Sequence, residues 1–163
     1  MSDSRQGLVL GKFMPPHRGH LHLIATAAAE CDSVTVLVCS IAREPIAGSL
    51  RFEWMQQCVA HLPNVSVVHV TDEVPQAPEE SPAFWPVWVG LVRRVAGFPD
   101  VVFTSEGYGD DLAARLGCEH RQVDLHRSVV PVSGSAIRTD PMGNWEYIPP
   151  AVRPHYVRRV AIV

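Results

Sequence analysis

Residues 11–20, GKFMPPHRGH, leave the chain few choices. The apolar run at residues 8–10 is fit for a buried strand, Gly11 allows close backbone approach, and Pro15 and Pro16 forbid regular structure until about His17. The strand must therefore turn and become a helix. If that helix starts near His17 or Arg18, its free N–H groups and positive dipole end face the turn, where an anion is stabilised. His17 and His20, three residues apart, share one face of the first turn, and Lys12 stands at the strand's end. The expected result is a small cationic, donor-rich cradle for a nucleotide phosphate.

The rest of the chain reads as a scaffold for this turn. Apolar positions from Leu21 to Ala28 give a helix face, and residues 33–39, SVTVLVC, a β-branched buried strand. Strand, helix and strand in this order imply a right-handed parallel crossover. Residues 49–62 read as a second helix, 65–70 as a third strand, 100–104 as a fourth and 119–125 as a fifth, with a helix near 111–116 closed by Gly117. This alternation predicts an α/β doubly wound parallel sheet, Rossmann-like, in one domain. The loop after residue 39 puts Arg43 and Glu44 on the carboxyl side of the strands, where open α/β sheets bind ligands. Arg51, Asp72, Glu106, Asp124 and Arg127 are second-rank charged candidates, each more readily read as a surface ion-pair member. Trp85 and Trp88 stand at helical spacing after a proline-rich loop. They suit either the core or a stacking platform for a flat heterocycle.

Composition narrows the partners. The 163 residues carry a formal charge of −3, with a pI near 6.2, which argues against a nucleic-acid surface. Any anion site must be local. Among fourteen basic residues the only lysine is Lys12. Cys31, Cys39, Cys58 and Cys118 have no paired spacing and read as free thiols of a reducing compartment. With neither a signal-peptide pattern nor a membrane-length apolar run, the expected location is cytoplasmic, away from membranes. No metal site is expected of the protein itself: HExxH is absent, and two histidines three apart leave a zinc ligand set incomplete.

A second anchor lies at residues 130–138, VPVSGSAIR. Ser133 is an N-cap residue type before Gly134, Ser135 and a short apolar turn ending in Arg138, which can grip a phosphate in bidentate fashion.

Together, GKFMPPHRGH and VSGSAIR resemble the two signatures of the nucleotidylyltransferase superfamily. Over nearly the whole chain the sequence is similar to the nicotinamide mononucleotide (NMN) adenylyltransferase domain of bifunctional NAD-biosynthesis proteins. The marks are the decamer, WPVW, TSEGYG, VDLHR and SGSAIRTDPMGNWEYIPPAVRP. The resemblance implies ATP and NMN as substrates, NAD and pyrophosphate as products, and Mg²⁺ accompanying ATP. It assigns His17 and His20 to the α- and β-phosphate region, Lys12 to the transferred phosphate, and Arg138 with Ser133 and Ser135 to the β- and γ-phosphates. Gly11, Phe13, Met14, Gly19 and Arg127 complete the nucleotide-binding set. Trp88, with Trp85 as alternate, is the expected nicotinamide platform, and Arg51, Asp72, Glu106 and Asp124 the remaining acceptor-site candidates. The domain is expected to span 1–159, and residues 160–163, VAIV, resemble the opening of the kinase domain that follows in those proteins. No GxxxxGK[ST] is present, so kinase activity is not expected of this chain, nor is an N-terminal helix-turn-helix extension. A homo-oligomer is compatible with the reading. The alternatives are another acceptor (nicotinate mononucleotide, phosphopantetheine or a sugar- or alcohol-phosphate, with adenylyl or cytidylyl transfer) and a non-catalytic nucleotide-sensing module.

Overall fold

A computed structural model describes residues 3–160, and side chains through Val157. The elements in order are β1 (Gln6–Gly11), α1 (Arg18–Glu30), β2 (Ser33–Cys39), α2 (Gly48–Val59), β3 (Val65–Val70), a 3₁₀ turn (Pro78–Glu80) and α3 (Phe84–Ala96). There follow β4 (Val101–Thr104), α4 (Gly109–Leu116), β5 (Glu119–Gln122), α5 (Gly134–Thr139), a second 3₁₀ turn (Trp145–Tyr147) and α6 (Arg153–Val160).

The five strands pair in parallel in the order β3-β2-β1-β4-β5, in register from Val9 against Val36 to Val36 against Val67. The expected doubly wound sheet is present. Alternate side chains of each inner strand enter opposite layers, so both faces must be covered. Val9, Val36 and Phe103 pack with α1 and α2 through Ile24, Ala27, Met55 and Val59. On the other face Leu8, Leu37 and Val102 pack with α3 and α4 through Leu91, Val92, Leu112 and Leu116. The chain winds from β1 to β3 on one side, then crosses to β4 on the other side of β1. The carboxyl ends of β1 and β4 therefore border the crevice where such a sheet binds ligands.

Three departures from the sequence reading have physical causes. β5 ends at Gln122 rather than 125: Val123 N–H still reaches the Thr104 carbonyl at 2.8 Å, but Asp124 adopts φ 52° and turns the chain away. α2 ends at Val59, three residues before Leu62. The third hydrophobic cluster was not read at all. Here Ile46, Trp54, Val132, Ile137, Ile148, Val152 and Tyr156 join the C-terminal turns and α6 to the main body. Val160 is the last residue of α6, and residues 161–163 of the expected kinase strand lie outside the described residues. All four cysteines are free, and no helix among the described residues is long and apolar enough to cross a membrane.

Candidate active site

The decamer folds as its prolines require. β1 ends at Gly11, Phe13 takes φ 51° with its ring buried, the Met14–Pro15 peptide is cis, and His17 is the N-cap of α1. The cap is reciprocal. His17 Nδ1 accepts from the N–H groups of Gly19 (3.0 Å) and His20 (3.3 Å), while His20 Nδ1 accepts from the His17 N–H (3.1 Å). Two imidazoles thus perform the task that Ser/Thr and Glu perform in the usual capping box. The intervening glycine is required by space, because a Cβ on Gly19 would lie 2.8 Å from His17 Cε1. The rings stack with centroids 3.6 Å apart, and the Phe13 ring meets His20 edge-on at 4.8 Å.

This geometry fixes the chemistry of both histidines. A backbone N–H can only donate, so each Nδ1 is an unprotonated acceptor and each neutral ring carries its hydrogen on Nε2. Burial, aided by the nearby Arg127 charge, pushes the His17 imidazolium down to about 4. Burial acts likewise on His20, with His17 and Arg127 adding to it, and holds it well below its ordinary value. At neutral pH the pair consists of two uncharged Nε2–H donors. The cradle's positive charge therefore comes from Lys12, Arg127 and Arg138 and from the α1 terminus, and the imidazoles contribute as neutral donors.

The second anchor docks directly on the first. Ser133 caps α5, its Oγ accepting from the Ala136 N–H at 3.1 Å. Gly134 lies against the Met14 carbonyl, where an added Cβ would come within 2.9 Å of the oxygen. Arg138 donates through Nη1 to that same carbonyl and through Nη2 to Ser135 Oγ (3.3 Å). The loop before α5 is held by Asp124, whose carboxylate accepts the N–H groups of Ser128 (2.7 Å), Val129 (3.0 Å) and Val130 (3.0 Å). The Val130 and Val129 bonds keep this carboxyl below its ordinary range. Arg127, at φ 53°, donates to the Val132 carbonyl.

Both anchors line one cavity of about 600 Å³, within the range of small-molecule sites. Lys12, His17, His20, Arg138, Gly11, Phe13, Met14, Gly19, Ser133, Ser135, Arg127, Trp85, Trp88, Glu106 and Asp124 all border it. Trp85, Trp88 and Tyr108 share the α3–α4 layer, and Glu106 leads into Tyr108. Trp88 Nε1 donates to the Pro75 carbonyl (2.9 Å), which fixes the indole against the proline-rich loop. Trp85 carries the Arg115 guanidinium 4.3 Å above its ring.

Arg51 and Asp72 are placed elsewhere. Asp72 pairs with Arg94 at 2.7 Å on the surface. Arg51 is wholly buried, donating to the carbonyls of Ile46 (3.0 Å) and Lys12 (2.7 Å) and to Glu44 Oε1 (2.8 Å). Glu44 in turn brings Oε2 within 3.1 Å of Lys12 Nζ. Sequence reasoning left Glu44 as one of two loop charges. The one signal available was its place opposite the chain's single lysine at the strand ends. It also missed Thr104, whose hydroxyl borders the cavity and lies 2.7 Å from His120 Nε2.

Comparison with known proteins agrees with this geometry. A family model described as the citrate lyase ligase C-terminal domain matches residues 8–77. The Trifunctional NAD biosynthesis/regulator protein NadR of Escherichia coli (strain K12) is 30% identical over 96% of this chain and 42% of its own length. The chain thus spans less than half of that relative. A Nicotinamide-nucleotide adenylyltransferase of Pyrobaculum neutrophilum is 29% identical over 90% of this chain and 83% of that protein. Among solved structures, a NadR protein in complex with NAD and AMP-PNP superposes with a TM-score of 0.71 at 21% identity, over 94% of this chain and 47% of that one, and so shares the fold. Two signature segments dock on one another at the carboxyl edge of a parallel sheet, and the chain is homologous to the NMN adenylyltransferase domain of NadR and to nucleotidylyltransferase-type domains.

Proposed function

We propose that this chain transfers AMP from ATP to NMN, giving NAD and pyrophosphate. The observation that carries the reading is the state of His17 and His20. Each imidazole has its only lone pair engaged by backbone N–H groups and presents a protonated Nε2. Neither can take a proton from a nucleophile. The acceptor must therefore arrive already deprotonated, as a phosphate monoester does, its second pKa being about 6. An acceptor attacking through a hydroxyl would need a base that this pair does not supply.

In the proposed reaction an NMN phosphate oxygen attacks the α-phosphorus of ATP. The new P–O bond forms as the bond to the β-phosphate breaks, and pyrophosphate leaves. Catalysis then consists of aligning two anions and stabilising the charge that develops between them. The two Nε2–H donors serve the α- and β-phosphates, Lys12 the transferred phosphoryl region, and Arg138 with Ser133 and Ser135 the β- and γ-phosphates. Mg²⁺ enters with the triphosphate. Among the described residues no cluster of three or more His, Cys, Asp or Glu could hold a metal, and both Asp124 oxygens are engaged by backbone.

Trp88 is the proposed platform for the nicotinamide ring. Glu106 borders the cavity two residues before Tyr108 of the aromatic layer. A carboxamide with a cationic pyridinium suits that carboxylate, whereas the extra carboxylate of nicotinate mononucleotide meets like charge there. The test is pyrophosphate release from ATP and Mg²⁺ with NMN, nicotinate mononucleotide or phosphopantetheine as acceptor. NMN should turn over fastest. Preference for another acceptor would replace the substrate assignment, and tight ATP binding without turnover on any acceptor would make the domain a nucleotide sensor.

A further inference from the structure

Lys12 is held at both ends, by Glu44 of the β2–α2 connection and by Arg51 of α2. Its carbonyl accepts from Arg51 Nη1 at 2.7 Å, and its ammonium lies 3.1 Å from Glu44 Oε2. Glu44 is itself fixed: Oε1 accepts the Ile41 N–H (2.9 Å) and Arg51 Nη2 (2.8 Å), and the side chain is only 5% exposed. The Arg51 side chain is fully buried, with further bonds to the carbonyls of Ile46 (3.0 Å) and Cys39 (3.4 Å). Burial alone would raise the Glu44 carboxyl, but the Ile41 N–H, Lys12 and Arg51 outweigh it and hold the group below its ordinary value. The carboxylate is thus charged and anchored, while the lysine, 47% exposed, faces the cavity.

A lysine side chain has large rotamer freedom, and it carries a point charge that solvent disperses when nothing directs it. A buried carboxylate pinned by two other donors is a fixed post for such a chain. Its single negative charge is shared between Lys12 and the buried Arg51, so the three groups together carry one net positive charge, and of the two cations only Lys12 borders the cavity. We infer that Glu44 is a positioning residue that aims the Lys12 ammonium at the bound phosphates, acting through Lys12 and not through contact with substrate. This rests on the reading of Lys12 as a phosphate contact.

A double-mutant cycle between Glu44 and Lys12 tests it, using Glu44→Gln and Lys12→Met in the intact chain, with NAD formation from ATP and NMN as readout. Glu44→Gln keeps the shape and an acceptor for Ile41 and Arg51. It should lower kcat/KM by about tenfold or more in the Lys12 background and by less than about twofold in the Lys12→Met background. Equal losses in both backgrounds would overturn the inference and leave Glu44 as scaffold for Arg51. Full activity of Lys12→Met would instead remove the phosphate role of Lys12, a distinct failure. Because Glu44→Gln leaves Arg51 without its buried counter-charge, Glu44→Asp is the companion variant: it retains that charge and withdraws it from Lys12. It should show the same background-dependent loss at an unchanged Tm, and a loss independent of Lys12 would again overturn the inference.

Discussion

Arg138 donates a hydrogen bond to the carbonyl of Met14, a residue 124 positions earlier in the chain. The two signature segments are therefore one object. The α5 arginine closes the loop that precedes the HxGH helix, and Gly134 supplies the gap that lets them touch.

Gly134→Ala should separate the segments. The new methyl would sit 2.9 Å from the Met14 oxygen, a backbone atom and not the far end of a flexible side chain. Overpacking of this kind costs about 1–3 kcal/mol. Thermal unfolding should show that loss, and steady-state kinetics a rise in KM for ATP larger than that for NMN.

His20→Ala removes both a donor to the phosphates and the acceptor for the His17 N–H. Loss of a capping interaction costs about 1 kcal/mol, whereas loss of one transition-state donor lowers turnover by a factor on the order of a hundred or more. The variant should therefore fold, with a modest fall in Tm, and be nearly inactive. Normal NAD synthesis by His20→Ala would contradict the proposed role.

The same pair shows where the sequence was legible and where it was not. The strands Ser33–Cys39 and Val65–Val70 could be read to the residue, because short runs dense in β-branched residues favour the strand. The start of α1 at Arg18 followed from the two prolines. The reciprocal imidazole cap did not, since histidine is not an N-cap residue type, and only the Nδ1 contacts identify the tautomer. Arg51 read as an acceptor-site candidate or a surface ion-pair member because nothing local announces that three carbonyls and a carboxylate enclose it. Asp124 and Arg127 take left-handed backbone held by bonds within the 124–132 loop, which no residue type at these positions signals, and the fifth strand therefore read as too long.

Stability should fall on acidification through a definite window. His17 titrates near 4 in the folded chain and near its ordinary 6.5 when unfolded. Between these values the unfolded chain binds the proton and the folded chain does not. The contribution is fully present above about 6.5 and is lost as the pH drops toward about 4, with a limit of about 3 kcal/mol. His20, depressed in the same sense, adds to it. His17→Asn retains a capping oxygen and does not titrate, so denaturant unfolding across pH 4–7 should show a shallower slope for this variant than for the parent. Identical slopes would place the linkage elsewhere.

Trp88 and Trp85 should separate in their effect on the acceptor. Both rings border the cavity, but the Trp85 ring already carries Arg115 on one side at 4.3 Å and meets the Phe84 ring edge-on at 5.0 Å, while Trp88 is oriented by its Nε1 bond to Pro75. Stacking of a base on an aromatic side chain contributes about 1–3 kcal/mol. Trp88→Ala should therefore raise KM for NMN by about tenfold to a hundredfold and leave KM for ATP within about twofold. Trp88→Phe, which retains a ring but not the Nε1–H, should lie between. Trp85→Ala should act mainly on stability, through the lost packing on α4. An equal rise in KM for both substrates in Trp88→Ala would instead mean that the indole's task is to hold the Pro75 loop. In that case Trp88→Phe should be as impaired as the alanine variant, because both lack the hydrogen bond that fixes the loop.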